Sequence, residues 1–417
     1  METSVHGEEA RRLPAGLTHA PSRARLAAGG LPRSYAYLDL TASHEPLHTA
    51  ASWYDDLSAA EAAAAEGLIV LGEAQYHPEL ADEPATVLLD GATGEVYLAF
   101  VDDGGTLRRD LLASSLDTLT ALMIEVEAVT AGAAEAFGPD EESDEELDEE
   151  EPDEEDGPRG PATVAEAAAI SRGRMRAADP ELFERTADHP AHWETAMLVR
   201  SLAWAALPGE PDGLTYALVP ALVEELAELT DATVRRFADA ELPPELTHAP
   251  TRRLLTELGL PQSGRGMLQV DPESPLSPLT EDDAEDDDAD VEDDTEPEDR
   301  PYLALADWTY DLVIALDGTT GRLELPGWQE EGEPAAYLHH DVSVLLLVLW
   351  THERLRAERH RWHSEDARAA WSVFDPRELL DAAAESALRA VDPEAFATEE
   401  HFWPMLAEDG HMGSLLE

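Results

Sequence analysis

Histidines in the last quarter of the chain are the best candidates for metal chemistry. His360 and His363 stand at i and i+3, so a helix would place both rings on one face, as metal ligands require. His352 lies two helical turns earlier, roughly 12 Å away on a straight helix, and cannot share an ion with that pair. The motif H-E-x-x-H is absent, and several arginines surround these histidines. We expect a basic, solvent-exposed helix face, with a metal-dependent enzyme using His360 and His363 as an alternative.

No other set of residues has the spacing of a catalytic site. His339-His340-Asp341 has residue types suited to acid–base chemistry, but 15 histidines among 91 carboxylates produce such neighbours by chance. The segment 317–321, Asp-Gly-Thr-Thr-Gly, has one carboxylate where a calcium loop needs several, so we interpret it as a turn. The sequence has no cysteine and no lysine, which excludes thiolate metal sites, a cysteine nucleophile, a Walker-type phosphate loop and Schiff-base catalysis. We expect a protein without catalytic residues, metal or cofactor.

Aromatic residues with acidic neighbours are the best candidates for partner binding. Two such clusters are present, namely Glu73 with Tyr76, and Asp307 with Trp308, Tyr310 and Asp311. Aromatic anchors beside carboxylates suit a surface that binds arginine or lysine side chains. For Trp308, packing in the core is the alternative interpretation.

The charge of the chain restricts its partners. The formal net charge is −64, and two runs, 140–156 and 281–299, contain fourteen carboxylates each. Such runs cannot repay the entropy of folding, so we expect both to be disordered inserts. The remainder still has 63 acidic and 27 basic side chains. A polyanion repels nucleic acids and anionic membranes, so we expect a basic protein partner; a solubilising or salt-adapted surface is the alternative.

Length and hydropathy place the chain among folded proteins of two or three domains. It has 417 residues, of which 43% are apolar. Residues 1–13 lack the apolar region of a secretory signal. The most apolar stretch, Val344 to Trp350, is far shorter than the roughly 20 residues of a membrane span. We expect a cytoplasmic protein.

An internal repeat organises the sequence. Leu-Thr-His-Ala-Pro occurs at 17–21 and again, letter for letter, at 246–250, with further matches downstream. Asp-Gly-x-Thr-Gly occurs at 90–94 and 317–321, and Asp-Pro-x-x-Phe at 179–183 and 392–396. The repeats keep their order, which predicts two tandem domains, 12–210 and 215–417. The acidic runs occupy different places in the two copies, so a shared site should lie outside them.

The hydrophobic patterns predict an α+β fold in each copy. Short β-branched runs flank each Asp-Gly turn and predict an antiparallel sheet. Leucines at helical spacing after residues 116 and 342 predict a helix packed on one face of that sheet. Asp179-Pro180 and Asp392-Pro393 are typical of helix starts. A leucine pattern also predicts a helix over 216–240.

The order of these motifs carries a resemblance. Each copy has an opening Gly-Leu-Pro, at 30–32 and 259–261, then the Asp-Gly hairpin, a leucine-rich helix led by serine or aspartate, and the late Asp-Pro-x-x-Phe followed by tryptophan. Most of both copies thus resembles the SUKH superfamily of bacterial immunity proteins, particularly its fourth branch. The resemblance implies an α+β domain that binds and neutralises a toxin, often a nuclease or deaminase, inside the producing cell. It implies no catalytic residues.

Two functional hypotheses follow from the sequence, besides the metal enzyme above. The first is an acidic, cytoplasmic, tandem immunity protein that occludes the active site of a basic toxin. The second is a non-enzymatic scaffold or regulator in which the same fold binds an endogenous partner.

Overall fold

The computed structural model describes most of the chain outside its acidic runs. The described residues are 13–35, 37–74, 85–136, 161–262, 268–270, 276–279, 302–309, 312–326, 336–363, 373–398, 401–408 and 415–416. The runs 140–156 and 281–299 lie outside them, and so does the expectation that these runs are disordered.

Contacts divide the chain into two compact units. Unit one comprises residues 1–139, 166–201 and 360–383, and unit two comprises 140–165, 202–359 and 384–417. Segment 360–383, which the repeat assigns to the second domain, therefore groups with unit one. The predicted boundaries of the two domains stay a prediction.

Unit one is built on a six-stranded antiparallel sheet whose strands follow chain order. These strands are β1 (Ser34–Tyr35), β2 (Leu38–Asp39), β3 (Leu68–Ala74), β4 (Thr86–Asp90), β5 (Val96–Val101) and β6 (Leu107–Ala113). The helices in this part of the chain are α1 (Ala20–Ala27), α2 (Ala50–Trp53), α3 (Ala59–Ala65), α4 (Leu116–Ala136), α5 (Pro161–Ala178), α6 (Pro180–Arg185) and α7 (Ala191–Ser201), with a 3-10 turn at Thr41–His44.

Unit two contains a four-stranded antiparallel sheet and a separate two-stranded one. The pair is β7 (Thr233–Arg235) with β8 (Leu260–Gln262), and the larger sheet runs β9 (Tyr302–Asp307), β10 (Val313–Asp317), β11 (Leu323–Leu325) and β12 (Ala336–His339). The helices are α8 (Pro220–Leu229), α9 (Ala249–Glu257), α10 (Val342–Arg361), α11 (Pro376–Val391) and α12 (Phe402–Glu408), with 3-10 turns at Leu202–Ala205, Asp239–Glu241 and Glu394–Phe396. The division between units falls inside α5, α10 and α11.

The predicted α+β class and the antiparallel meander around each Asp-Gly turn are confirmed. The helix predicted over 216–240 is wrong in extent, because α8 begins at Pro220 and ends at Leu229. Asp231 then adopts a positive φ of 54°, and the N–H of Ala232 donates to the carbonyl of Ala227. This left-handed C-terminal turn stops the helix, and the following residues form β7.

The two meanders match in register as well as in order. The meanders are β3 to β6 and β9 to β12. Both contain an irregularity between their first and second strands, at Val70/Gly72 between β3 and β4 and at Ile314/Ala315 between β9 and β10. Both contain a second one between the third and fourth strands, at Val96/Tyr97 and at Leu323/Glu324. The pairings therefore define equivalent positions: Glu73 with Asp307, Leu111 with Tyr337, and Ala113 with His339.

The repeated Leu-Thr-His-Ala-Pro segment attaches the first helix of each copy to the Asp-Gly hairpin. The N–H groups of Thr18 and His19 both donate to the carbonyl of Gly91 at 2.7 Å. In the second copy the corresponding N–H groups at 247 and 248 donate to the carbonyl of Gly318 at 2.7 and 2.9 Å. The two motifs that reveal the repeat are therefore parts of one structural contact.

The last glycine of each hairpin motif completes this contact. Gly94 and Gly321 have φ values of 86° and 81°, which L side chains rarely adopt. A Cβ at Gly94 would lie 2.2 Å from Nδ1 of His19, and one at Gly321 would lie 2.3 Å from Nδ1 of His248. Only glycine satisfies both the turn and the histidine packed over it.

Candidate partner-binding site

Asp39 and Glu73 lie opposite each other on the neighbouring strands β2 and β3. The register of β2 and β3 pairs these two residues directly, and like charges at directly opposite positions destabilise a sheet. Burial raises the pKa of Glu73 above its ordinary value, and the Asp39 carboxylate raises this pKa further. Two carboxylates at paired positions form an acidic feature that suits an arginine guanidinium.

Backbone contacts fix the position of this pair. The Asp39 carboxylate accepts a hydrogen bond from the N–H of Thr41 at 2.8 Å. A Cβ at Gly72 would lie 1.8 Å from the carbonyl oxygen of Asp39, so the close approach of β2 to β3 requires glycine. Glu73 could be identified from the sequence but Asp39 could not, because a two-residue strand has too little alternation to be predicted.

The second copy keeps the position of Glu73 without the like-charge pair. Asp307 takes this position at the end of β9 and is exposed. Asp307 pairs with Gln269 through a β-bridge. The N–H of Asp307 donates to the carbonyl of Gln269 at 2.8 Å, and the N–H of Gln269 donates to the carbonyl of Asp307 at 3.0 Å. Because glutamine is neutral, this pair lacks the repulsion found in the first copy. Glu73 and Asp307 are therefore equivalent in position and different in electrostatics.

Trp308 lies in the interior of unit two. Its side chain is 4% exposed, and its ring meets those of Phe402 and Trp403 edge to face at centroid distances of 5.4 and 6.1 Å. These contacts assign the indole a packing role, while a role in partner binding stays a prediction. The other aromatic and acidic candidates, Tyr76, Tyr310 and Asp311, lie outside the described residues.

The paired histidines at the end of α10 lie together as their spacing predicts. The rings of His360 and His363 are 6.0 Å apart between centroids, and both residues are exposed. Nδ1 of His363 lies 3.4 Å from the guanidinium of Arg377, a cation that would repel a metal ion. Within the described part of the chain, no three metal-binding side chains come together. Spacing alone therefore supports the metal hypothesis.

The expectation of an exposed, basic helix face is wrong at His352 and Glu353, in the middle of α10. His352 and Glu353 are buried, and Nε2 of His352 donates to the carbonyl of Leu415 at 2.8 Å. The leucine-rich pattern around these polar residues continues through them, so the helix buries most of its circumference here.

The His339-His340-Asp341 segment is structural in its first and last residues. The indole N–H of Trp403 donates to Nε2 of His339 at 3.2 Å. This donor fixes the tautomer, so Nδ1 of His339 carries the proton and donates to Asp392 at 2.7 Å. Both ring nitrogens are used inside the core. Asp341 is likewise buried, where its carboxylate caps α10 by accepting from the N–H groups of Ser343 and Val344.

Comparison with known families agrees with this duplicated architecture. The profile of the SUKH-4 immunity protein family matches residues 2–199 and, a second time, residues 221–409. The chain belongs to this family and contains two copies of its domain. Searches of curated proteins and of solved structures found no match. Among the described helices, none is both long and apolar enough to cross a membrane.

Proposed function

We propose that this protein is a non-enzymatic immunity protein that binds a cognate bacterial toxin in the cytoplasm of the producing cell and occludes the toxin's active site. Membership of the SUKH-4 family supports the immunity role. We propose a nuclease or deaminase as the toxin. Toxins of these classes that act on nucleic acids need basic surfaces to hold a polyanionic substrate, and such surfaces fit an acidic inhibitor.

The charge of the chain supports a basic partner. Outside the two acidic runs, 63 acidic side chains face 27 basic ones. An excess of this size attracts an oppositely charged protein over several ångströms and raises the association rate. The attraction is screened by salt, so complex formation should weaken as ionic strength rises.

The observation that carries the proposal to particular residues is the like-charge pair of Asp39 and Glu73. The close contact at Gly72 fixes the backbone of this pair, and the register places the two residues directly opposite each other. An arginine of the toxin placed between the two carboxylates would form charge-assisted hydrogen bonds with both. The pair is therefore the proposed contact for a basic side chain of the partner.

Co-expression with the toxin domain encoded beside this gene tests the proposal. We expect growth protection by the wild-type chain and a complex that weakens with salt. The double variant Asp39→Asn with Glu73→Gln should raise the dissociation constant about tenfold. Glu66→Gln, at an exposed position, serves as the matched control and should bind normally. Calorimetric titration with an inactivated toxin domain measures the dissociation constant of each variant.

Two results would contradict the proposal at different levels. If the wild-type chain neither protects nor binds the toxin domain, the immunity role is wrong, and the scaffold hypothesis takes its place. If binding is strong but the double variant binds as tightly as the Glu66→Gln control, the role stands and the proposed contact is wrong.

A further inference from the structure

A groove in unit one has more basic than acidic side chains in its described lining, unlike the chain as a whole. It lies beside β6 and has a volume of about 410 Å³, within the range of roughly 300–1,000 Å³ typical of ligand sites. Its described lining includes Arg109, Arg185, His189 and His192, with Asp110 as the single acid. Because carboxylates outnumber arginines more than threefold in this sequence, a groove with four basic side chains and one acid in its lining calls for a specific explanation.

Hydrogen bonds already occupy the acid of the groove. One carboxylate oxygen of Asp110 accepts from the N–H groups of Val373 and Phe374 at 2.6 and 3.1 Å. Arg185 is also engaged, since its guanidinium pairs with Glu95. Asp110 and Arg185 are therefore both engaged in contacts within the protein.

Arg109 has no such acidic partner. Its side chain is exposed, its guanidinium lies over the ring of Tyr97 at 4.9 Å from the centroid, and it forms no ion pair with any carboxylate that the structure describes. The preceding residue, Arg108, pairs with Asp102 at 3.0 Å. Neighbouring strand residues point to opposite faces, so the two arginines differ in environment although they are adjacent in sequence.

The apolar part of the groove is fixed before any partner arrives. The indole N–H of Trp193 donates to the carbonyl of Leu112 on β6 at 2.8 Å. The ring of His192 stands edge-on to those of Trp193 and Phe374, at 4.9 and 5.2 Å. A preformed wall of this kind lowers the entropy cost of binding.

The second copy has different residues at the equivalent place. Tyr337 stands where the first copy has Leu111, and its hydroxyl donates to Asp392. The guanidinium of Arg322 lies 4.6 Å from the Tyr337 ring centroid, and the ring of His401 lies 6.3 Å from it. Side chains of the second copy thus occupy the region that stays open in the first.

We propose that the groove beside β6 binds a short extended segment of a partner protein that carries a carboxylate. The carboxylate pairs with Arg109, and the apolar neighbours of the segment pack on the wall formed by Trp193 and Phe374. Because β6 is the outermost strand of its sheet, an extended segment can lie alongside it. The identity of the partner as the toxin rests on the proposed function, whereas the preference of the groove for a carboxylate does not.

Selection from a random peptide library tests the groove without knowledge of the toxin. A phage-displayed library of random dodecapeptides is selected on the full chain and counter-selected on Arg109→Glu. We expect enriched peptides that contain aspartate or glutamate. Measured by fluorescence anisotropy, a synthetic copy of the best peptide should lose at least tenfold in affinity for Arg109→Glu. Arg108→Glu, one residue away on the same strand, is the matched control and should bind normally.

The alternative outcomes overturn the inference. Enriched peptides without acidic residues, equal binding by Arg109→Glu, or no enrichment would each contradict it. Arg109→Gln, which removes the charge without reversing it, should give an intermediate loss, and circular dichroism checks the fold of every variant. If the toxin domain fails to bind while acidic peptides still require Arg109, the proposed function is wrong and the groove assignment stands.

Discussion

Each copy anchors the last strand of its meander with an aspartate and a tryptophan at equivalent positions. The groups near that strand that donate to the aspartate differ between the copies. In the first copy, Asp179 is fully buried and accepts from the backbone N–H of Ser114 at 2.7 Å. In the second, Asp392 accepts from the side chains of His339 and Tyr337 at 2.7 and 3.1 Å. A backbone donor is present whatever the sequence, whereas a side-chain network requires several residue types at once.

The following tryptophan shows the same difference. The Trp193 indole donates to a backbone carbonyl of β6, and the Trp403 indole donates to the His339 ring. In the second copy, Asp392, His339, Tyr337 and Trp403 therefore form a buried network of side-chain hydrogen bonds. The first copy has a backbone anchor at this place, and the groove beside β6 lies next to it.

Removal of the two aspartates should give the largest effects and tests this comparison directly. Asp392→Ala leaves the Tyr337 hydroxyl and the His339 N–H buried without their acceptor, so we expect a loss of about 3 kcal/mol in unfolding free energy. Asp179→Ala should cost about 2 kcal/mol, because the donors it abandons are two backbone N–H groups. Hydrogen exchange of β12 and β6, combined with urea unfolding, measures each copy separately.

Asparagine at position 392 keeps one acceptor oxygen and serves as the control, with a smaller expected loss. Equal losses for the two alanine variants would show that the side-chain network adds nothing to the backbone anchor, and the distinction between the copies would fail.

Alanine at the last glycine of either hairpin motif should give a loss shared by the two copies. Gly94→Ala and Gly321→Ala each force a side chain into a positive φ and against a histidine ring, so we expect about 2 kcal/mol for each. Thermal unfolding measures the pair. Gly173→Ala in α5 has open space around its Cβ and should leave the protein equally or more stable; a larger loss there than at Gly94 would contradict the argument.

Sequence predicts most of the fold because the repeated motifs are its structural contacts. The hairpin motifs place the meanders, and the leucine patterns place α4 and α10. Sequence fails where a local signal is weak or is overridden: the helix over 216–240 stops at a left-handed Asp231, and β2 has only two residues. Hydrophobic periodicity does not contain either feature.

The candidate site is harder to read from sequence than the fold. Glu73 and Asp307 were identified from their aromatic neighbours, yet their equivalence depends on a register irregularity that appears in each sheet. Asp39 lies far from Glu73 in sequence, so nothing short of the pairing of β2 with β3 brings the two carboxylates together. Arg109 resembles any surface arginine until the ion pairs of its neighbours are known.

The helix caps of the two copies should differ in their response to acid. Asp341 caps α10, where its carboxylate also accepts from the N–H of Thr215 at 2.8 Å, and Ser115 caps α4 through the N–H of Thr118 at 3.1 Å. Burial by itself raises the pKa of Asp341, but hydrogen bonds from Ser343 and Thr215 outweigh it and lower the pKa below its ordinary value. The stabilisation is therefore complete above the ordinary aspartate pKa of about 4 and is lost as pH falls through the lowered pKa.

Alanine at either cap should cost about 1 kcal/mol at neutral pH. For Asp341→Ala this difference from wild type should shrink in acid, whereas for Ser115→Ala it should stay constant because serine does not titrate. Urea unfolding at a series of pH values measures both, and a pH-independent loss at Asp341 would contradict the assigned hydrogen bonds.

The smallest expected effect is the most informative about function. Glu73→Gln removes the repulsion from Asp39 and should raise the unfolding free energy at neutral pH by about 0.5 kcal/mol. Asp307→Asn, at the equivalent position beside a glutamine, should leave it unchanged. Because the pKa of Glu73 is raised, its contribution to stability is greatest below the ordinary pKa and falls as pH rises through the raised pKa, so the gain from Glu73→Gln should vanish in acid.

A gain in stability that accompanies a loss of toxin binding would show that the carboxylate pair is kept for its partner rather than for the fold. Urea unfolding and calorimetric titration of the same Glu73→Gln preparation provide the two measurements. Loss of stability in this variant would mean that Glu73 makes favourable contacts within the sheet, and the like-charge pair would then need no partner to explain it. Improved stability with unchanged affinity would remove the pair from the interface and direct attention to the groove beside β6.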